Sequence, residues 1–283
     1  MYNWQKLSLK EKELFLNPKK AVLNHPKLQA IATISAKKYR NAHPNKYINI
    51  PYGKRTNQKL DIFLPENIDN NPVQLYFHGG YWIARDKFDH SHLAEPAMIN
   101  NIIHISVNYD LSPNVTLDII VKETYECIEW VIKHISTYGG NPYNINLVGH
   151  SAGAHLVAMA LTKSYSLNSF IKSATLISGI YQPQITKYLS INKKIHIDKN
   201  IIKLTDVYKS SIVQKTNILI VVGSDEPNAW KKLSIDFSEW LQKHNISFKF
   251  YNAIHLNHFT LVKALSNYKS TLSKKIINMS VKT

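Results

Sequence analysis

Five short apolar runs constrain this chain more than anything else in it: "VQLYF" (73–77), "IIHISV" (102–107), "INLVG" (145–149), "SATLIS" (173–178) and "NILIVV" (217–222). A strand with one wet face alternates apolar and polar residues, so nearly continuous runs predict strands covered on both faces, as in a parallel sheet. Helix-period segments separate them. In 115–136, Val121, Tyr125, Ile128, Val131, Ile132 and Ile135 share one face, and Glu129 and Lys133 form an i,i+4 pair on the other. In 229–243, Trp230, Leu233, Phe237, Trp240 and Leu241 repeat the pattern. The alternation predicts an α/β fold, a mostly parallel central sheet with helices on both faces. Upstream, "KYINIPY" and "QKLDIFL" alternate as half-exposed antiparallel strands do, after helical stretches at about 8–16 and 27–41. Residues 180–211 break the alternation and are expected to form short helices or loop over the sheet's edge. With no internal repeat, low-complexity tract or linker, one domain over 1–283 is expected, its first 45 or so residues helical.

Composition narrows the class. The N-terminus is charged throughout, and no apolar run approaches the roughly 18–20 residues of a membrane span. A cytoplasmic protein is therefore expected. The single cysteine, Cys127, excludes an intrachain disulfide and suits a packed position in its helix. The formal charge of +16 raises the question of a nucleic-acid partner. The basic side is almost all scattered lysine, with only Arg40, Arg55 and Arg85 to supply bidentate forks. Neither nucleic acid nor membrane is expected as a partner; a small molecule is, with at most a second copy of the chain.

"NLVGHSAGAH" (146–155) holds the chemistry. Gly149, Ser151 and Gly153 match G-x-S-x-G with a strand before and a helix after, the context of a nucleophile elbow. The turn is sharp enough that side chains two positions either side of the serine would collide, and it presents Oγ at the carboxyl ends of the strands and the positive end of a helix. "FHGGYW" (77–82) follows another strand. In such an architecture this loop joins the N–H after the nucleophile, that of Ala152, in an oxyanion hole. Tyr81 and Trp82, beside it, are candidate substrate walls, with packing as the alternative for Trp82. The chain order serine, acid, histidine puts the base after the last strand, "ISFKFYNA" (246–253), where His255 and His258 both qualify. The acid belongs after "NILIVV", where Asp225 and Glu226 adjoin; Asp225 is the choice and Glu226 the alternative. His150 and His155 are assigned to packing around the elbow, and Asp110 to organising its loop. No His/Cys/Asp spacing of the zinc kind occurs, so neither metal nor cofactor is expected.

Together "HGGYW", "VNYDLSP", "YGGNP", "INLVGHSAGAH", "SGIY", "VGSDEP" and "NHF" resemble the kynurenine formamidases (arylformamidases) and their relatives among the hormone-sensitive-lipase-type carboxylesterases, from about residue 17 to about 268. The resemblance implies an α/β-hydrolase fold with Ser151 as nucleophile, Asp225 as acid and His258, before Phe259, as base. It also implies oxyanion N–H groups at Gly79, Gly80 and Ala152, and a formamide substrate of the N-formylkynurenine type or a small-acyl ester. A non-catalytic binding module of this fold would be expected to lack a triad member or the glycine loop. One stretch departs from the family pattern: after "SGIY" the chain runs "QPQITKYLSINKKIHIDKNIIKL" (182–204), beside the expected substrate pocket.

Overall fold

A computed structural model describes residues 6–162, 167, 169–212 and 216–281. The strands β1 (Lys46–Pro51), β2 (Lys59–Phe63), β3 (Asn71–Phe77), β4 (Ile103–Val107), β5 (Gly140–His150), β6 (Ile171–Ile177), β7 (Asn217–Gly223) and β8 (Phe248–Ala253) form one sheet in the order β1-β2-β4-β3-β5-β6-β7-β8. From β4 to β8 every neighbouring pair is parallel; β2 runs antiparallel to both β1 and β4.

The continuous apolar runs are explained by two separate cores. Leu75 and Phe77 of β3, Leu147 of β5 and Ile220 of β7 face one side, which α5 (Leu117–His134), α6 (Ala152–Ala160) and α9 (Asn228–Lys243) cover. Tyr76, Val148, Leu219 and Val221 face the other, under α10 (Thr260–Ser266) and α11 (Thr271–Val281). Alternate residues thus enter opposite cores, so both sets are mostly apolar, and the polar exceptions such as Gln74, His104 and Asn146 are hydrogen-bonded inside the protein. Between β3 and β4 lies α4 (Glu95–Ile99). The helices α1 (Leu9–Leu16), α2 (Pro18–Ala21) and α3 (His25–Ala42) lie against the loop that follows β3: Arg40 donates to the Phe88 carbonyl at 2.8 Å and Thr33 to Asp89 at 2.7 Å. Among the described residues no helix is long and apolar enough to cross a membrane.

Residues 180–211 form short helices, as expected, including α7 (Asn192–Ile195) and α8 (Lys199–Thr205). They follow β6, an inner strand, and pack on α5 and α6. One expectation needs correction. Strand β2 is not half-exposed: Leu60, Asp61, Ile62 and Phe63 are all buried. Its polar position is paid for inside the protein. Lys87 Nζ reaches Asp61 Oδ1 at 2.9 Å and Asn49 Oδ1 at 2.8 Å, while the Asn49 N–H donates to the same Asp61 oxygen. Burial pushes the Asp61 carboxyl up and the Lys87 ammonium down, and each charge opposes the other's shift.

Removing one partner of such a pair leaves a buried, uncompensated charge, which costs about 3–5 kcal/mol. Lys87→Met should therefore lower the urea midpoint by that much stability at unchanged m, and the double change Lys87→Met with Asp61→Leu should recover most of it.

Candidate active site

The carboxyl ends of the parallel strands are level, and the site is built on that edge. Phe77 pairs with Gly149, His150 with Ile177, Ile177 with Val221 and Gly223 with Ala253. The residues that follow each strand therefore meet. Ser151, directly after β5, has φ 57° and ψ −117°, a conformation that costs a non-glycine residue on the order of 1–3 kcal/mol. It is held by its N–H donating to the Ile177 carbonyl at 2.8 Å, and α6 begins at Ala152. The two glycines permit the turn: a Cβ on Gly149 would overlap the Gly153 carbonyl, and one on Gly153 would overlap the Phe77 carbonyl.

The loop after β3 comes within reach of the serine. A Cβ on Gly79 would lie 3.0 Å from Ser151 Cβ, and Gly80 has φ +117°, closed to other residues. This loop is tied to the one after β4. The Tyr109 hydroxyl donates to the His78 carbonyl at 2.6 Å, its ring stacks on His78 at 4.4 Å, and Asn108 bridges to Asp86 and the Lys87 N–H. Asp110 sits in that second loop, its N–H on Glu123 and its carboxylate 3.8 Å from Arg55.

His258 follows β8. Asn257 fixes the turn by accepting the N–H groups of Phe259 and Thr260, both at 3.0 Å. The His258 imidazole lines the same cleft as Ser151, and its Nδ1 is 2.8 Å from Glu226 Oε1. A carboxylate only accepts, so Nδ1 carries the proton and Nε2 is left as the acceptor. Glu226 is fully tied down. The Gly223 N–H donates to its Oε2 at 2.8 Å, and the Ser178 hydroxyl donates to its Oε1. Ser178 in turn accepts from Trp230 Nε1 at 2.7 Å and lies 3.1 Å from His258 Nδ1.

The choice of Asp225 as the orienting acid is overturned here. After β7 the chain turns so that residue 226 points inward and residue 225 outward. Asp225 is exposed and accepts from Ser224 Oγ at 2.8 Å, far from any imidazole role. That serine also receives the His255 N–H, so the Ser224–Asp225 pair braces the outer loop, and His255 itself is exposed. Trp82 is also corrected. It is fully buried against His155 at 5.0 Å and does not line the cleft, whereas Tyr81 does, its hydroxyl donating to the Leu16 carbonyl. Ser178 and Trp230 were missed altogether. Their signal was position: one residue past "SATLI" at the carboxyl edge for Ser178, and the first turn of the helix after the acid for Trp230.

The cleft is walled on one side by α2 and α3 through Pro18, Leu28 and Ala32. His150 Nε2 donates to the His258 carbonyl at 3.0 Å, and the two rings lie 4.5 Å apart. His90 has neither ring nitrogen partnered and stacks on His78 at 5.8 Å. Burial pushes His78, His90 and His150 below the ordinary imidazole range, and His155 to about 4. Among the described residues, no group of three or more His, Cys, Asp or Glu comes together as a metal site.

Comparison with known proteins agrees with this architecture. Residues 74–218 match a family model described as alpha/beta hydrolase fold. Kynurenine formamidase from Danio rerio is 28% identical over 242 residues, covering 82% of this chain and 81% of that protein. Isoprenylcysteine alpha-carbonyl methylesterase from Arabidopsis thaliana is 37% identical over 114 residues, 40% of this chain and 27% of its own. An esterase structure from Pyrobaculum calidifontis overlays with a TM-score of 0.74 at 14% identity, covering 96% of this chain and 95% of that one.

The buried imidazoles make stability sensitive to acid. The native state holds them neutral, so the unfolded chain takes up protons first as pH falls below its own value of about 6.5. Their contribution is complete above that pH and is lost going down, by roughly 1.4 kcal/mol per histidine per pH unit until the folded value is reached. The thermal midpoint should be flat above neutrality and fall steeply between about pH 6.5 and 4. A flat profile across that window would mean that these rings are charged in the native state.

Proposed function

Because the chain belongs to the alpha/beta-hydrolase fold family, we propose that it is a serine hydrolase that removes a small acyl group, with an aryl formamide of the N-formylkynurenine type as its substrate. One observation carries the reading: Ser151, the Gly79–Gly80 loop and the Glu226-bound His258 open into a single cleft.

The chemistry follows from the geometry. Ser151 Oγ attacks the acyl carbon as His258 Nε2 takes its proton, and Glu226 stabilises the imidazolium without accepting that proton. The oxyanion is received by the N–H groups of Gly79, Gly80 and Ala152, the last at the positive end of α6. His258 then gives the proton to the departing amine nitrogen. Water, deprotonated by the same imidazole, hydrolyses the acyl-enzyme to formate and free Ser151. The Danio relative favours a formamide at this step. A second reading, a small-acyl carboxylesterase, is favoured by Ile191. It lines the cleft and comes from the stretch that departs from the formamidase pattern.

Ser151→Ala and His258→Ala should each lower kcat by about 10⁴–10⁶, with the double variant little worse, because the groups act as one unit. Glu226→Gln should cost about 10³–10⁴ and Asp225→Asn only a few-fold. The reverse ranking of the two acids would contradict the geometry.

Substrate choice is decided by comparing kcat/KM for N-formylkynurenine with that for p-nitrophenyl acetate, propionate and butyrate. Each methylene that a formyl-sized site must reject is worth about 1–3 kcal/mol, so turnover should fall steeply along the series. Negligible formamide turnover beside good butyrate turnover would leave the carboxylesterase.

A further inference from the structure

One end of the cleft is cationic. Lys19 of α2 and Arg85 of the loop after β3 both line it, and none of the lining residues is a carboxylate. Burial, then the charges of Arg85 and Lys194, hold the Lys19 ammonium below the ordinary lysine range. The nearby acids are occupied elsewhere. Glu13 accepts from Asn17 Nδ2 at 3.2 Å and from the Ser190 N–H; Asp86 accepts from the Phe88 N–H and Asn108 Nδ2, both at 2.8 Å.

Asp89 touches Arg85 in a way that orients it without satisfying it. Thr33 Oγ1 donates to Asp89 Oδ1 at 2.7 Å, and Arg85 Nε lies 3.3 Å from Oδ2. Asp89 is thus the ion-pair partner of the guanidinium through its Nε side, and among the described residues no hydrogen bond is made by the terminal guanidinium nitrogens. Arg85 also has φ 82°, a conformation that persists only where the surroundings enforce it. Its Cγ would lie 3.0 Å from a Cβ on Gly80, so the side chain packs on the oxyanion loop itself. A guanidinium fixed at Nε with its terminal N–H groups not hydrogen-bonded, next to an ammonium without a carboxylate partner among the described residues, matches a carboxylate.

We propose that Lys19 and Arg85 form a carboxylate subsite that selects substrates bearing an anionic group on the leaving-group side of the scissile bond. The assignment of side rests on the small-acyl reading, since a formyl or acetyl group has no room for a carboxylate. Neutral ester substrates would leave both cations uncompensated.

The test uses two aryl acetates of nearly equal size, 3-carboxyphenyl acetate and the neutral ester 3-carbamoylphenyl acetate, so that charge is the main difference. The wild-type protein should prefer the acid by about 10- to 100-fold in kcat/KM, mostly through KM, as a charge-assisted contact of about 1.5–3 kcal/mol gives. The preference should shrink with added salt, fall toward one in Arg85→Met and Lys19→Met, and survive in part in Arg85→Lys. Lys19 is exposed, so Lys19→Glu keeps the test open if the arginine variant does not fold, and it should turn the preference toward the neutral ester. A wild-type ratio at or below one, or a ratio unchanged in these variants, overturns the subsite. Labelling of Ser151 by a fluorophosphonate and turnover of the neutral ester separate the two readings. Failure of both removes the hydrolase itself, whereas success of both with no charge preference removes only the subsite.

Discussion

The close approach of Gly153 to the Phe77 carbonyl is the constraint on which the rest of the site depends. A single added methyl there would overlap that oxygen, so α6 can start only where it does if residue 153 is glycine. The contact locks the helix that follows the nucleophile onto the end of β3, the strand whose next residues form the glycine loop. The register does the rest, because Phe77 lies opposite Gly149. Ser151 and the Gly79–Gly80 loop are therefore brought together first by backbone contacts, with Tyr109 and Asn108 bracing the loop from behind. That is the rigid support a site needs when a misplacement of about 1 Å can cost on the order of a hundredfold in rate.

His258 and Glu226 are placed by different means. They sit on loops, and loops need side-chain fixings where the turn at Ser151 is set by its glycines. Asn257 caps the turn that carries the histidine, and Gly223 and Ser178 saturate the two oxygens of the glutamate. Trp230 completes the set by holding Ser178, so the first turn of α9 reaches the catalytic edge through one indole N–H. Glu226 is almost without solvent contact, and three donors (the Gly223 N–H, the Ser178 hydroxyl and His258 Nδ1) take the place of the water it has lost.

This division explains what the sequence revealed and what it hid. The parallel sheet was legible because its signal is periodic: Leu75, Tyr76 and Phe77 are all apolar since each faces one core or the other. The elbow and glycine loop were legible because a steric requirement admits a single residue type. Asp225 and Glu226 were not separable, since neighbouring residues in a turn differ only in where φ and ψ send their side chains. Asp61 misled for a related reason. Its polar position in "QKLDIFL" looks like a wet face, and only the distant Lys87 shows that it is a buried ion pair. Partners separated by long stretches of chain, such as Ser178 and Glu226, leave no local pattern to read.

Charge in the cleft is arranged by burial as much as by sequence. His90 and His150 line the cleft, and His78 stacks on His90 behind it, so three imidazolium charges there would repel one another. Burial prevents this by holding the three rings neutral. Permanent positive charge is displaced instead to the rim, where Lys19 and Arg85 lie partly in solvent and its dielectric weakens their effect on the His258 imidazole.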